Sequence, residues 1–249
     1  MATAHPFWDK LAQNYPSYDN PQMGRDVRIM IDAATDFGVD FNNAKVLDIG
    51  CGTGTVAIPL AAMGANVDAM DISPEMLKRL EEDAARAGVG HAVTTCLSDW
   101  DGFDLAGSYD VVIASMTPAV MTDAHYEKYI KAAGRWGIFV GWGDFKRNPF
   151  LEALVTAHGA VTAAPRNNAA AFHSRITAQG KKVALTWFET AWEERYSMEE
   201  AREYAVSHLE RDGIAPDLEI IETTLALWLL DGTVTVTTHA QKGAVVWEA

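Results

Sequence analysis

Cysteine is nearly absent from the chain. Two occur in 249 residues, Cys51 and Cys96, and neither has a companion at metal-ligand spacing, so neither a disulfide framework nor a zinc site is expected. Such usage fits a reducing cytoplasm. Basic charge is scarce as well: 20 Lys and Arg stand against 34 Asp and Glu, a formal net charge of −14. A phosphate backbone is held chiefly by Lys and Arg and is repelled by an acidic surface, so nucleic acid is not expected as a partner. No apolar run approaches the roughly 18 to 20 residues that span a bilayer. The first ten residues are poor in basic side chains and are broken by Pro6, unlike a secretory signal. No membrane partner is expected. What the chain does have is 49% hydrophobic and 22% charged residues, enough apolar material for a sizeable core.

Residues 1–44 read as an N-terminal helical cap. Pro16 and Pro21 punctuate it, and Val27, Ile31, Ala34 and Phe37 hold helix spacing up to Gly38. From Lys45 short apolar runs alternate with helical stretches, the pattern of βαβ units and a parallel sheet. Strands are predicted over 46–49, 66–70, 92–96, 109–114 and 136–141. Helices are predicted over 56–63 with Pro59 in the first turn or at a kink, from the N-cap Ser73 and Pro74 to Gly88, and over 122–133. Beyond Asp144 the rhythm loosens. Helices are predicted over 149–158, 168–179 and 216–230, with a capping box of Ser197 and Glu200 between them. A strand is predicted over 183–192, and a closing hairpin over 233–239 and 244–247 turns at Gly243. The fold class is therefore α/β: a doubly wound, Rossmann-like, mostly parallel sheet with closing antiparallel strands and an added helical cover. One domain, 45–249, would follow the cap and carry a substrate-covering elaboration around 144–215.

The chemistry concentrates in Val46-Leu47-Asp48-Ile49-Gly50-Cys51-Gly52-Thr53-Gly54. Three glycines at alternate positions between a strand and a helix permit a tight turn and let a ligand approach the backbone, its anionic end toward the helix. A nucleotide-like ligand is implied. The dinucleotide fingerprint would place its third small residue at Thr55, so the spacing disfavours that class. An acid two positions before the first glycine suits a ligand bearing an ammonium group better than a pyrophosphate. At the end of the second strand, 23 residues beyond Asp48, Asp71 is placed to accept from ribose hydroxyls. After the third strand, Asp99 can accept from an adenine amino group while Trp100 packs beside the ring.

This succession resembles the class I S-adenosylmethionine-dependent methyltransferase family over residues 45–141. The resemblance implies S-adenosylmethionine as cofactor, with Asp48 and the turn of Gly50, Cys51, Gly52 and Gly54 on its methionine part and Asp71 on the ribose. It implies Ile72 and Met76 on the adenine face, Asp99 and Trp100 at its edge, and Ser115 bordering the cofactor. The segment from Phe7 to Tyr15 is similar to the helix with which small-molecule members cover the cofactor, which makes Tyr15 a lid residue. After the fourth strand the chain reads Ser115-Met116-Thr117-Pro118 where amino-group methylating members carry an acid or amide and prolines. That departure speaks against methylation of a nucleic-acid base or a protein amide, and the expected reaction is methyl transfer to a small molecule. In-line transfer from a sulfonium needs alignment and exclusion of water more than any catalytic side chain, and none is assigned.

His5, His125 and His173 are candidate bases, each with a structural reading beside it. Asp144 is read either as a substrate contact or as a helix cap. Trp136, Trp142, Trp187 and Trp192 read mainly as core, with an apolar substrate pocket as the second reading. Two rival functions remain open: a cofactor-binding partner or sensor without turnover, and an NAD-dependent oxidoreductase.

Overall fold

Successive residues of the first strand feed opposite faces of the sheet. Val46 packs with Val67, Val111 and Ile138 on one side, whereas Leu47 and Ile49 pack with Val112, Ala114 and Phe139 on the other. A strand buried on both faces belongs at the centre of a parallel sheet covered by helices. The computed structural model describes residues 6–105, 107–161 and 168–249. In chain order it contains α1 (Pro6–Ala12), α2 (Pro21–Phe37), β1 (Lys45–Ile49), α3 (Ala57–Ala62), β2 (Asn66–Asp71) and α4 (Pro74–Arg86). A single 3₁₀ turn then leads to β3 (Val93–Leu97), β4 (Tyr109–Ser115), α5 (Asp123–Ala132), β5 (Ala133–Arg147) and α6 (Pro149–Ala157). The remainder is α7 (Ala169–Ala178), β6 (Val183–Tyr196), α8 (Met198–Arg211), α9 (Leu218–Trp228), β7 (Leu229–Leu230) and β8 (Thr233–Glu248).

The strands are ordered β3-β2-β1-β4-β5-β8-β6, with β7 pairing β8. β1 to β5 are parallel, with Val46 opposite Val67 on one side and Val111 on the other. The chain winds outward from β1 to β3, then returns to lay β4 on the other flank of β1. That reversal opens a crevice at the carboxyl ends of β1 and β4, the place where doubly wound sheets take ligands.

Two compact units divide the chain. The first comprises Met1–Gly141, Asn167–Phe188 and Lys242–Ala249; the second comprises Trp142–Arg166 and Glu189–Gln241. In the first, α2, α3 and α4 cover one sheet face and α5 and α7 the other. In the second, Phe150 and Leu154 of α6, Ala201, Ala205 and Leu209 of α8, and Ile221 and Leu225 of α9 close on Val234 and Val236. No helix among the described residues is long and apolar enough to cross a membrane.

Two late predictions are corrected. No turn occurs at Gly243: β8 runs unbroken from Thr233 to Glu248, and a Cβ at Gly243 would come within 2.7 Å of Ala169 and Trp187. That glycine permits close packing. The turn lies instead at Asp231-Gly232, both at positive φ, where a two-residue loop joins β7 to β8 in antiparallel register. Nor does Asp144 cap a helix. β5 continues through it to Arg147, and α6 is capped by Asn148, whose Oδ1 accepts from the amide of Leu151 at 3.0 Å. Pro59 sits in the first turn of α3, where its missing amide removes little.

Candidate functional site

The turn after β1 is built from left-handed backbone. Gly50, Gly52 and Gly54 have φ of 66°, 53° and 83°. A Cβ on Gly50 would fall 2.0 Å from Oγ1 of Thr117, in the loop after β4, and one on Gly54 would meet Leu80 at 2.8 Å. Four of the turn's amides are engaged inside the protein. Gly50 and Cys51 donate to the carbonyl of Met70 at 2.8 and 3.0 Å, Gly52 donates to Oδ2 of Asp71 at 2.9 Å, and Gly54 donates to the carbonyl of Cys51 at 3.0 Å. These four donors form no cradle for an anion.

Asp48 lies beneath this turn, 2% exposed, and its Oδ2 has no hydrogen-bond partner. Burial raises its pKa to about 7, the charge of Asp71 adds to the rise, and an amide hydrogen bond from Ala57 opposes it. An ionised carboxylate oxygen buried in this way is costly unless a donor or a cation meets it. Burial also pushes the Cys51 thiol well up, reinforced by Asp48 and Asp71, so Cys51 stays protonated.

Asp71 ends β2. Its Oδ1 takes the amide of Ser73 at 2.9 Å while Oδ2 takes that of Gly52. Burial raises its pKa, against the pull of these amides and that of Ile72. Ser73 does two jobs: Oγ accepts from the Met76 amide at 3.2 Å to cap α4, and donates to Oδ1 of Asp9 on α1 at 2.5 Å. Arg79 of α4 donates to the carbonyls of Ala12 and Tyr15, the latter at 2.8 Å. The segment leading to Tyr15 is thereby tied to the start of α4. Burial and Asp71 raise the Tyr15 hydroxyl's pKa, so it remains a neutral donor.

In the loop after β3, Asp99 Oδ1 accepts from the Gly102 amide at 2.6 Å and Trp100 donates to the carbonyl of His125 at 3.2 Å. The loop after β4 holds Met116 at φ 53°, a conformation that non-glycine residues seldom adopt. These elements line a cavity of about 310 Å³. Its wall includes Tyr15, Asp48, Gly50, Asp71, Asp99 and Ser115, drawn from five separate loops or strand ends.

Residues 46–136 match a family described as "Methyltransferase domain". Over those residues the chain carries a methyltransferase domain. A nocamycin O-methyltransferase of Saccharothrix syringae is 36% identical over 104 residues, which is 37% of this chain and 36% of that protein. A ubiquinone biosynthesis O-methyltransferase of Xylella fastidiosa is 29% identical over 134 residues, 51% of this chain and 53% of that protein. The matched region thus spans roughly half or less of these curated relatives. Among solved structures, magnesium protoporphyrin IX methyltransferase of Synechocystis PCC 6803 with bound SAH superposes with a TM-score of 0.52 at 23% identity, covering 67% of this chain and 76% of that one.

Within this methyltransferase domain, the cavity wall gathers Cys51, Gly52, Ile72, Met76 and Trp100 beside the residues already named. Gly54 is not part of it and instead makes room for Leu80 and Ile58. His125 does line the cavity, but its Nε2 is 3.0 Å from the Asp101 carboxylate, which places the ring as a brace between α5 and the Asp99 loop. His173 and Trp187 lie off the cavity; Trp136 is core, edge-on to Phe37. Asp144, Trp142 and Trp192 belong to the second unit, and His5 lies outside the described residues. Trp8 and Thr117, inside segments the sequence singled out, are on the cavity wall, and sequence reasoning missed Asp26, Phe188 and Lys242 there. Those three are scattered from α2 to β8 in no motif, and only folding brings them together.

Proposed function

We propose that this domain transfers the methyl group of S-adenosylmethionine to a small molecule held in the same cavity. The observation that carries the reading is the orphan oxygen of buried Asp48 beneath a glycine turn whose amides are engaged. Such a site asks for a cationic, hydrogen-bonding group, as the methionine ammonium is, and suits a pyrophosphate poorly, with a carboxylate below the turn and four of its amides already bonded. The same argument sets aside the NAD-dependent oxidoreductase. Asp48, with Gly50, Cys51 and Gly52 allowing close approach, would hold the methionine part. Asp71, fixed by two amides, has lone pairs left for the ribose hydroxyls. Ile72 and Met76 would face the adenine, Asp99 and Trp100 its edge, with Ser115 and Tyr15 closing over the cofactor. The bound sulfonium supplies an activated methyl group; the chain supplies alignment and a dry enclosure.

The small-molecule assignment is supported by the size of the cavity, about 310 Å³, and by two relatives whose names give nocamycin and ubiquinone biosynthesis. Calorimetric titration with S-adenosylmethionine and its demethylated product should show binding of both. Asp71→Ala should weaken binding by about ten- to hundredfold, the worth of one or two charge-assisted hydrogen bonds; unchanged affinity removes Asp71 from the site. Transfer of labelled methyl into a metabolite extract separates an enzyme from a sensor that binds without turnover.

A further inference from the structure

The wall of the cavity carried by α2, β5, β6 and β8 has a chemistry unlike that of the β2 and β3 side. Nζ of Lys242, on β8, donates to Oδ2 of Asp26, on α2, at 2.7 Å, and each side chain is only 9% exposed. Gln22 donates to the other oxygen of Asp26 at 3.0 Å. The cavity lining also includes the apolar side chains of Met23, Met30, Met116, Val140 and Phe188. A buried ion pair stabilises a fold little or not at all relative to well-packed apolar side chains. Stability therefore does not account for a pair set into the wall of a ligand cavity, whereas recognition does.

The pair also restricts what it can recognise. An anion brought against it is repelled by Asp26 and a cation by Lys242. A neutral hydroxyl meets both demands at one atom, donating to the carboxylate and accepting from the ammonium. Three methionine thioethers and a phenyl ring favour contact with a flat aromatic body.

We propose that Asp26 and Lys242 form the acceptor site for an aromatic hydroxyl, so that the methyl acceptor is a phenol. This rests on the methyltransferase reading above and deepens it. In the transfer the phenol oxygen gains the methyl carbon and loses its proton to the Asp26 carboxylate. The electron pair of the broken carbon–sulfur bond stays on sulfur, and Lys242 steadies the charge on oxygen as the proton leaves.

The test uses the full chain saturated with S-adenosylhomocysteine and measures affinity for four fragments: phenol, its methyl ether anisole, benzoate and benzylamine. Phenol should bind about tenfold or more tightly than anisole, and more tightly than either charged fragment. In Asp26→Leu with Lys242→Met, a double change that removes both charges together, affinity for S-adenosylhomocysteine should stay within about twofold and the phenol preference should vanish. Equal binding of phenol and anisole by the unaltered protein, a preference for benzoate or benzylamine, or no fragment binding at all overturns the proposal. So does a phenol preference that survives the double change. Failure of the unaltered protein to bind S-adenosylhomocysteine sinks the methyltransferase reading itself, which keeps the two failures apart.

Discussion

Asp48 ties the chemistry of the site to its titration. Its pKa, about 7 in the folded chain against the ordinary 3.8, is raised by burial, so the folded state holds the proton more tightly than the unfolded one. This group's contribution to stability is complete below about pH 4 and is lost as pH rises through about 7. A bound ammonium needs the carboxylate form, so the sign for ligand binding is the reverse. Affinity for S-adenosylmethionine should fall by up to about tenfold per pH unit below pH 7, as calorimetry across about pH 5.5 to 8.5 would show. Asp48→Asn keeps the shape and removes the charge. At about pH 8 it should hold or raise the unfolding temperature of the ligand-free protein while weakening cofactor binding by about tenfold or more.

At the scale of elements, α4 does more than cover the sheet. Ser73 and Pro74 start it, as the sequence predicts, and the same serine reaches Asp9 while Arg79 holds the carbonyls of Ala12 and Tyr15. Arg79→Ala should release the segment around residues 6–15 without loosening the sheet. The expected result is faster amide exchange confined to that segment, an unfolding temperature changed by no more than about 2 °C, and cofactor affinity lowered roughly three- to tenfold. The helix starts were readable because a cap is local chemistry, a side chain bonding an amide two or three residues on. The end of the chain was not. Gly243 has the composition of a turn residue, but the crowding of Ala169, Trp187 and Leu185 that requires it is contributed by distant parts of the chain. The Asp231-Gly232 turn was a local signal, masked by the apolar stretch of residues 225–230 that reads as continuous helix.

For the molecule as a whole, the central constraint is how closely the sheet's later strands pack. Gly137 of β5 lies under Trp247 of β8, and a Cβ there would fall 1.9 Å from the indole ring. Gly137→Ala should cost about 3 kcal/mol or more by overpacking and lower the unfolding temperature by about 5 to 10 °C in calorimetry, with the cavity residues untouched. The indole Nε1 of Trp247 is itself buried without a partner, so this tryptophan is held by its ring contacts with Tyr129 and Phe172.

The sequence by itself determined the α/β class, the doubly wound parallel character of the sheet, and the carboxylates at the mouths of β1, β2 and β3. Each of those signals is carried by residues within one βα unit, and a parallel, doubly wound sheet brings consecutive units to one edge. Only the tertiary structure decided which glycine faces the cavity, that the turn's amides are already bonded, and that Asp26 meets Lys242 across 216 positions. Those are contacts between segments distant in sequence, and no local pattern of residues encodes them.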